Sequence, residues 1–381
     1  MRQLPAALCG VFAISVSLQA AVLPEERADA MYHSYSGGGI TVDGPSVLVR
    51  KNFKETVSVS ANYYVDNVSS ASIDVLASGA SKYTEKRTEY SLAGQYLYDK
   101  SIVSAGYTNS SESDYTADTY FFNISQDFFG DLTTVTLGYT LGQDEVEQNG
   151  NDEFAEDIDR HNFRFGVTQV ATPNLIIGLD YELITDEGYL NNPYRSYRYL
   201  INPLDPSAGY QFSQEVYPDT RTSDAAALRF LYYLKGRQTL GGSYRYFTDD
   251  WGIDAHTASL SYTRVVKDNW ILEARYRYHQ QGAADFYSDL FTFEAQDEND
   301  WRARDKELSD FNNHTLSLYV SYEREVPYRL IDKTGITLQW DHIWFEYDNF
   351  TDLRVDSAVA GDEPTYSFEA DVIKLVWTLW Y

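Results

Sequence analysis

The chain ends in Val372-Ile373-Lys374-Leu375-Val376-Trp377-Thr378-Leu379-Trp380-Tyr381. Successive side chains of a β-strand point to opposite faces, so one face of this stretch is apolar and carries Ile373, Leu375, Trp377, Leu379 and Tyr381. The other face is mixed and carries Lys374, Val376, Thr378 and Trp380. Chain ends usually fray in water, whereas the closing strand of an outer-membrane β-barrel needs an apolar row that faces lipid. The stretch therefore favours such a barrel, and the alternative is the edge strand of a β-sandwich.

The same terminus predicts how the barrel would be assembled. The barrel-assembly machinery of Gram-negative bacteria reads a C-terminus of this kind, and the predicted assembly signal is Trp377, Leu379 and Tyr381. Placing this terminus in the periplasm also sets the direction of every other strand, because neighbouring strands of an outer-membrane barrel are antiparallel.

The composition fits a β-barrel and excludes several other classes. The 381 residues include 33 Tyr and 7 Trp, and aromatic residues are enriched in strands and in the interfacial girdles of membrane barrels. No run of about 18 apolar residues follows the N-terminal region, which excludes a helical membrane protein. The net charge of −27 argues against nucleic-acid binding, because that function needs a basic surface.

The N-terminus is typical of a secretory signal peptide. Arg2 is its positive residue, residues 4–18 are its apolar core, and Leu18-Gln19-Ala20 is a plausible cleavage site before Ala21. Cys9 is the single cysteine and would leave with the signal peptide, so neither disulfides nor thiol chemistry is expected. We therefore predict a signal peptide over residues 1–20 and a single barrel domain over residues 21–381. Only a few residues precede the first strand, so no N-terminal plug domain is expected.

The rest of the chain repeats a unit of two strands with period-two alternation. The clearest strands are predicted at 133–141, 174–183, 269–281 and 315–323. Short turns are predicted near residues 52–54, 99–100, 130–131, 171–173, 236–237 and 267–268. Longer polar connections are predicted at 66–84, 109–116, 144–157, 186–222, 248–254, 283–307 and 348–366. Short periplasmic turns that alternate with long outer loops are typical of outer-membrane barrels.

The number of strands follows from their parity. Counting back from a last strand that ends in the periplasm gives about fifteen strands from Ser46 onward, which would place the chain start outside the cell. An additional strand over Ala28–Ser36, followed by the bend at Gly37-Gly38-Gly39, corrects this. We therefore predict an antiparallel up-and-down transmembrane barrel of about sixteen strands, with fourteen and eighteen as alternatives.

Several segments resemble a family of bacterial outer-membrane proteins, the domain of unknown function DUF3570. They are Tyr32-His33-Ser34-Tyr35 with the three glycines, residues 44–51, residues 190–195 and Tyr217-Pro218-Asp219-Thr220-Arg221. The resemblance extends over nearly the whole chain after the signal peptide. It implies an outer-membrane barrel without an established activity. Members resemble proteins that are encoded beside flavin-attaching and thioredoxin-like factors, which implies a periplasmic redox partner.

The rows that would face the lumen carry unusually many charges. They are Arg50, Glu89, Arg164, Asp180, Glu182, Arg229, Arg245, Glu273, Arg275, Arg277, Glu323, Asp341 and Lys374. Such charges would be strongly destabilising inside a sandwich, but a wide barrel has a wet lumen. They form either a charge-selective lumen or a ladder of structural ion pairs, with Arg245, Glu273, Arg275 and Arg277 as candidate lumen residues.

The longest connection, 186–222, is rich in Arg and Tyr. Its candidate functional residues are Tyr194, Arg195, Arg198 and Arg221, which could form a constriction in the lumen or hold an anionic or aromatic ligand. The alternative is an exposed loop that packs on its neighbours. A long connection without secondary structure is more often functional than incidental.

Two acidic segments, residues 144–159 and 294–310, indicate contact with lipids rather than a dedicated metal site. Their spacing lacks the order of a calcium-binding loop, so we expect solvated outer loops that meet outer-membrane lipid and lipopolysaccharide through divalent ions. No metal site and no cofactor are predicted.

Catalysis is not expected. The chain has six His, and His314 and Ser317 are three residues apart, so they lie on opposite faces of a strand. No recognisable hydrolase or nucleotide-binding motif is present. Three functions remain open: a porin-like pore or transport barrel with the 186–222 loop as its gate, a non-conducting barrel that anchors a periplasmic partner, and a secreted β-sandwich that binds glycans.

Overall fold

Segments of alternating polarity form long antiparallel strands. The computed structural model describes residues 21–70, 83–297 and 299–381, and the predicted signal peptide lies outside them. The barrel strands are β1 (Arg27–Gly37), β2 (Ile40–Phe53), β3 (Val57–Ser70), β4 (Tyr83–Tyr98), β5 (Ser101–Ser111), β6 (Tyr115–Phe128), β7 (Thr133–Gln148), β8 (Asn151–Thr172), β9 (Leu175–Gly188), β12 (Thr220–Leu234), β13 (Gln238–Asp249), β14 (Asp254–Val266), β15 (Trp270–Gln281), β16 (Phe311–Tyr328), β17 (Ile331–Thr351) and β18 (Thr365–Trp380). The strands β10 (Ser196–Leu200) and β11 (Tyr210–Gln214) form a separate two-stranded sheet.

Sixteen strands close into one barrel because the first strand pairs with the last. The pairing of β1 with β18 runs from Arg27 opposite Trp380 to Gly37 opposite Ala370. The strand predicted at Ala28–Ser36 is therefore β1, and the predicted sixteen-stranded antiparallel barrel is confirmed. A closed barrel has no free edge, which excludes the β-sandwich alternative. Among the described residues, no helix is long and apolar enough to cross a membrane.

The connections at one end of the barrel are tight turns. The non-glycine residues with positive φ lie there, among them Lys54, Asp99, Asp131, Arg237 and Lys267. Two-residue and three-residue hairpin turns need such left-handed positions to match the twist of their strands. Both the start of β1 and the end of β18 lie at this end, which is the periplasmic end in the predicted orientation.

The connections at the other end are less uniformly long than predicted. Large connections span residues 189–219, 282–310 and 352–364, whereas those at 112–114 and 149–150 are short. Of the predicted 66–84 connection, residues 66–70 belong to β3, residues 83–84 belong to β4, and the rest lies outside the described residues.

The acidic segment 144–159 is strand rather than loop. β7 and β8 remain paired through it, with Asp144 opposite Ile158 and Glu147 opposite Ala155. Val146 and Ile158 are buried against each other and against Tyr115. This small apolar contact stabilises the part of the β7–β8 hairpin that extends past the neighbouring strands, although most of the side chains there are acidic.

The outward face carries two aromatic belts. One lies near the tight turns and includes the exposed Tyr98, Phe129 and Tyr328. In the other, aromatic side chains donate hydrogen bonds to carboxylates or contact imidazoles of neighbouring strands. Its pairs are Tyr107 with Asp118, Tyr139 with His161, Tyr181 with Asp224, Tyr244 with His256, Tyr246 with Asp254, Tyr276 with His314 and Trp340 with Asp371. Aromatic belts of this kind mark the two interfaces of a barrel with the membrane.

Strand parity gives a prediction that can be tested with cysteines. The chain after the predicted cleavage site contains no cysteine, and adjacent positions on β14 face opposite ways, with Leu260 exposed on the outside and Ser261 on the inner face. In protein reconstituted into lipid vesicles, Ser261→Cys should react with a charged maleimide about tenfold faster than Leu260→Cys, because the reagent partitions poorly into hydrocarbon. Equal labelling, measured by mass spectrometry, would contradict the assignment of the two faces.

Candidate functional site

A ladder of arginines lines one side of the lumen. These arginines lie on the inner face of one sector of the ring, in which the strands follow in the order β8-β9-β12-β13-β14-β15. They are Arg164 on β8, Arg229 on β12, Arg245 on β13, and Arg275 and Arg277 on β15. They face inward because the adjacent positions, such as Phe163, Leu228 and Tyr244, are exposed on the outer face.

Carboxylates hold four of these five arginines in place. Arg164 and Arg245 both pair with Glu182, at 2.6 and 3.5 Å. Arg229 pairs with Asp180 at 2.5 Å, and Arg275 pairs with Glu273 at 2.7 Å. The Arg277 guanidinium donates a hydrogen bond to the side-chain oxygen of Asn313 at 3.0 Å.

The ladder remains accessible from within the barrel. The side chains of Arg164, Arg229 and Arg245 keep about two fifths of their surface exposed (41, 41 and 40 %), while the carboxylates Asp180 and Glu182 are less exposed. An exposed pair of this kind stabilises a protein by at most about 1 kcal/mol. The guanidiniums are therefore ordered by their partners but still present charge to whatever occupies the lumen.

The Arg/Tyr-rich connection, residues 189–219, is an ordered element with its own sheet and a 3₁₀ turn at Pro206–Ala208. Its Tyr199 and Phe291 form a bridge between backbones, as do Val216 and Arg302. These bridges join it to the connection 282–310. Together with residues 352–364 these two connections form one folded unit, which we call the outer cap.

Arg198 holds the three parts of the outer cap together. Its side chain is fully buried and pairs with Asp289 and, at 2.9 Å, with Glu363. It also donates hydrogen bonds to the Asp289 carbonyl at 2.8 Å and the Thr351 hydroxyl at 2.9 Å. Arg304 completes the cluster by pairing with Asp289 at 2.8 Å. One guanidinium thus bonds to groups on both other cap connections.

The charged state of this cluster is set by its pairing. Burial alone would raise the pKa of Asp289, but the Arg304 and Arg198 guanidiniums outweigh burial and hold that pKa below its ordinary value. Burial would likewise raise the pKa of Glu363, whereas its hydrogen bonds from Arg198 lower it. Both carboxylates are therefore ionised at neutral pH, and the cap depends on their negative charge.

An apolar cluster supports the outer cap from the barrel side. Trp251, Ile253, Ala284, Phe286, Ala303 and Leu308 are buried together. The Tyr217 ring packs on Trp251 and Phe286 at centroid distances of 5.7 and 5.5 Å. Arg221 stacks on Trp251 at 4.6 Å and pairs with Asp249 at 2.5 Å.

The outer cap extends across the mouth of the barrel. The Tyr194 hydroxyl donates to Asp114, between β5 and β6, at 2.6 Å, while Arg198 reaches Glu363, between β17 and β18. Ten strands, β6–β9 and β12–β17, separate these two points around one side of the ring, and six, β1–β5 and β18, around the other. Residues 194–198 therefore join distant parts of the rim.

The structure places the predicted site residues in two separate groups. Arg245, Glu273, Arg275 and Arg277 lie in the lumenal ladder. Tyr194, Arg195, Arg198 and Arg221 lie at the outer end, where the arginines pair with Asp305 and Glu307, with Asp289 and Glu363, and with Asp249. These arginines thus bind carboxylates of this chain. Arg195 and Arg198 lie in the outer cap, whereas Arg221 lies on β12.

Sequence analysis did not identify the carboxylates of the outer cap. Asp289 and Glu363 lie 91 and 165 residues from Arg198 along the chain, and Glu215 accepts a hydrogen bond from the backbone of Arg304 at 2.7 Å. Nothing in their local sequence distinguishes them from other acidic loop residues. The signal available in the sequence was the presence of several arginines in the long connections, Arg195, Arg198, Arg302 and Arg304.

Comparison with solved structures shows the same kind of fold. The chain is similar to a bacterial polysaccharide outer membrane secretin, with a TM-score of 0.50 and 7 % identity, covering 94 % of this chain and 100 % of that one. It also matches a FadL homologue from Pseudomonas aeruginosa (TM-score 0.42, 10 % identity, 94 % and 90 % covered). A third match is the CymD monoaromatic hydrocarbon channel (TM-score 0.44, 9 % identity, 94 % and 89 % covered). At these identities the likeness concerns the fold alone.

Comparison at the level of sequence identifies the family. No curated protein matches the chain. The family model described as "Protein of unknown function (DUF3570)" matches residues 77–327, which is more than half of the chain and includes the segments 190–195 and 217–221. With its closed barrel and this match, the chain belongs to the DUF3570 family of proteins of unknown function.

Proposed function

We propose that this protein is a pore or transport barrel of the Gram-negative outer membrane, with a charged lumen and an outer cap that acts as its gate. The observation that carries the proposal is the exposure of the lumenal arginines. The side chains of Arg164, Arg229 and Arg245 keep about two fifths of their surface exposed on the inner side of the barrel wall. Their charges need water beside them, since a charge in a dry interior is strongly destabilised.

The sign of the charge favours anionic solutes. The ladder contains five arginines, namely 164, 229, 245, 275 and 277, and three carboxylates, Asp180, Glu182 and Glu273. Two positive charges therefore remain in excess on this side of the lumen, in a protein whose net charge is −27. A ring or column of basic side chains is the usual basis of anion preference in a pore.

The outer cap supports a gated pore rather than an open one. It spans the mouth between distant rim points, and its ion pairs are buried, so it is ordered in the state described here. A solute that crosses from outside requires the cap to open or shift. Loops held by a few buried ion pairs can open without loss of the barrel, because the barrel wall is held by its own backbone hydrogen bonds.

Recordings in planar lipid bilayers test the proposal. The folded protein should form channels, and the double variant Arg229→Gln, Arg245→Gln, which removes the excess positive charge, should lower the ratio of anion to cation permeability by about twofold or more. The reversal potential in a salt gradient measures this ratio. Arg237→Gln is the matched control, because Arg237 lies in an exposed turn and pairs with Asp268.

A complete absence of conductance, also in variants with an opened cap, would overturn the pore. The remaining hypothesis would then be a barrel that anchors a periplasmic partner, including a partner with redox function. Equal selectivity in the double variant and in the wild type would show that the ladder does not set the selectivity.

Removal of the central cap arginine should open the cap. Arg198→Ala removes the arginine partner of the buried Glu363 and one of the two arginine partners of Asp289, which keeps Arg304. Breaking a buried pair costs about 3–5 kcal/mol. We expect added protease to cut residues 189–219 at least tenfold faster and the mean conductance to rise, while heat-modifiable migration shows an intact barrel. Arg354→Ala removes the pair between the half-exposed Arg354 and Asp352 from the cap connection 352–364 and should behave like the wild type. Equal proteolysis of both variants would contradict this role of Arg198.

The outer cap should loosen in acid. The pKa values of Asp289 and Glu363 are lowered in the folded cap, so their contribution to stability is complete above the ordinary carboxyl pKa of about 4. It is lost as the pH falls through their lower folded values. Protease sensitivity of the cap should therefore be constant from about pH 8 to pH 5 and rise below about pH 4. In Arg198→Ala this acid step should be smaller, and an equal step in both proteins would assign it to other groups.

A further inference from the structure

A short segment before the first strand runs along the periplasmic end of the barrel. Residues 21–26 leave β1 and are held at the end of β2, where Asn52 donates to the Pro24 carbonyl and to the Glu26 carboxylate, both at 2.8 Å. Leu23 is buried. The segment then reaches β6, where the backbone nitrogen of Ala21 donates to Asp127. It thus passes the four strands β2–β5 that lie between β1 and β6 in the ring.

Asp127 is a buried carboxylate of the inner wall. It is 4 % exposed, and its other oxygen accepts a hydrogen bond from the Thr134 hydroxyl. The nearby ammonium of Lys100 pairs with Asp131 at 2.7 Å and interacts with Asp127 only at longer range. No lysine, arginine or histidine within the described residues forms an ion pair with Asp127. A buried carboxylate is destabilising unless a positive group neutralises it.

The predicted cleavage of the signal peptide supplies a positive group at the Ala21 nitrogen, the atom that donates to Asp127. The predicted cleavage site Leu18-Gln19-Ala20 ends before Ala21. Hydrolysis of the Ala20–Ala21 amide by one water molecule leaves a carboxylate on Ala20 and an amine on Ala21. A free α-amino group has a pKa of about 7.7–8.0, so most of it is protonated at neutral pH.

We propose that signal peptidase cleaves after Ala20 and that the new α-ammonium group of Ala21 forms an ion pair with Asp127. This pair fixes residues 21–26 across part of the periplasmic mouth. The processed N-terminus is therefore a structural element of the barrel, and it exists only after the protein has been exported. The inference does not depend on whether the lumen conducts.

The surroundings of the amine are mixed in charge. Lys54 and Glu55 line the same cavity as Ala21, and the adjoining turns contribute Asp99, Lys100 and Asp131. Lys100 and Asp131 neutralise each other as a pair. Asp127 is thus the carboxylate in direct contact with the amine, and an opposite charge at contact distance favours the charged form.

Intact mass and amine titration test the proposal on full-length protein exported to the outer membrane. The mass should correspond to a chain that begins at Ala21. The rate of N-terminal acylation should then be measured against pH, with a synthetic peptide of residues 21–26 as reference, because only the neutral amine reacts. We expect the pH midpoint of acylation to lie about one pH unit higher in the protein than in the peptide. Acylation at pH 7 should therefore be about tenfold slower in the protein.

Variants separate charge pairing from simple shielding. Burial of the amine alone would slow the reaction without raising its midpoint, whereas Asp127→Asn should return the midpoint to that of the peptide. Asp131→Asn, in the neighbouring turn, should keep the raised midpoint. If Asp127→Asn does not fold, a chain with Gly-Ser inserted before Ala21 moves the amine away from an intact Asp127 and should give the midpoint of the peptide.

Two results would overturn the proposal. One is a mature chain that begins at a residue other than Ala21, such as Val22. The other is a midpoint in the processed protein that equals that of the peptide, or that is unchanged by both the Asp127 substitution and the insertion.

Discussion

The rest of the structure depends on the hydrogen-bonded closure of β1 on β18. A backbone that crosses hydrocarbon must satisfy every N–H and C=O group within the protein, and a sheet can do so only if its two edges meet. The ladder from Arg27–Trp380 to Gly37–Ala370 joins these edges. It requires an even number of antiparallel strands, and it brings the chain start and the aromatic C-terminus to the same end. The positions of both mouths and of every connection follow from this closure.

Closure also creates an interior in which the cost of removing one partner of an ion pair differs between the lumen and the outer cap. In the lumen, the Arg229 side chain keeps 41 % of its surface exposed and pairs with Asp180, so loss of either partner is tolerable. In the outer cap, Arg198 is fully buried, and removal of one partner leaves an uncompensated buried charge. In our proposal the ladder attracts solutes, whereas the cap cluster holds the three connections together as one unit that can open.

The wall could be predicted from the sequence because period-two alternation is local: Leu375 and Lys374 show their faces without any knowledge of their neighbours. The acidic β7–β8 hairpin could not be predicted, because Val146 and Ile158 are isolated apolar residues among carboxylates, a pattern that is typical of a loop. The outer cap could not either, since Arg198 meets Asp289 and Glu363 only through the closed ring. Local alternation fixes strands and faces, whereas pairing between distant connections depends on the three-dimensional arrangement that closure produces.

The two mouths of the barrel are covered by different kinds of charge. The outer cap relies on side chains that are charged from synthesis onward, and its pairs form whenever the connections meet. In our proposal the periplasmic segment relies on an ammonium group that the precursor lacks, because the Ala21 nitrogen is an uncharged amide until cleavage. Asp127 then has a full counter-charge only in the exported protein. The periplasmic end of the barrel would therefore be completed last, after the signal peptide has been removed.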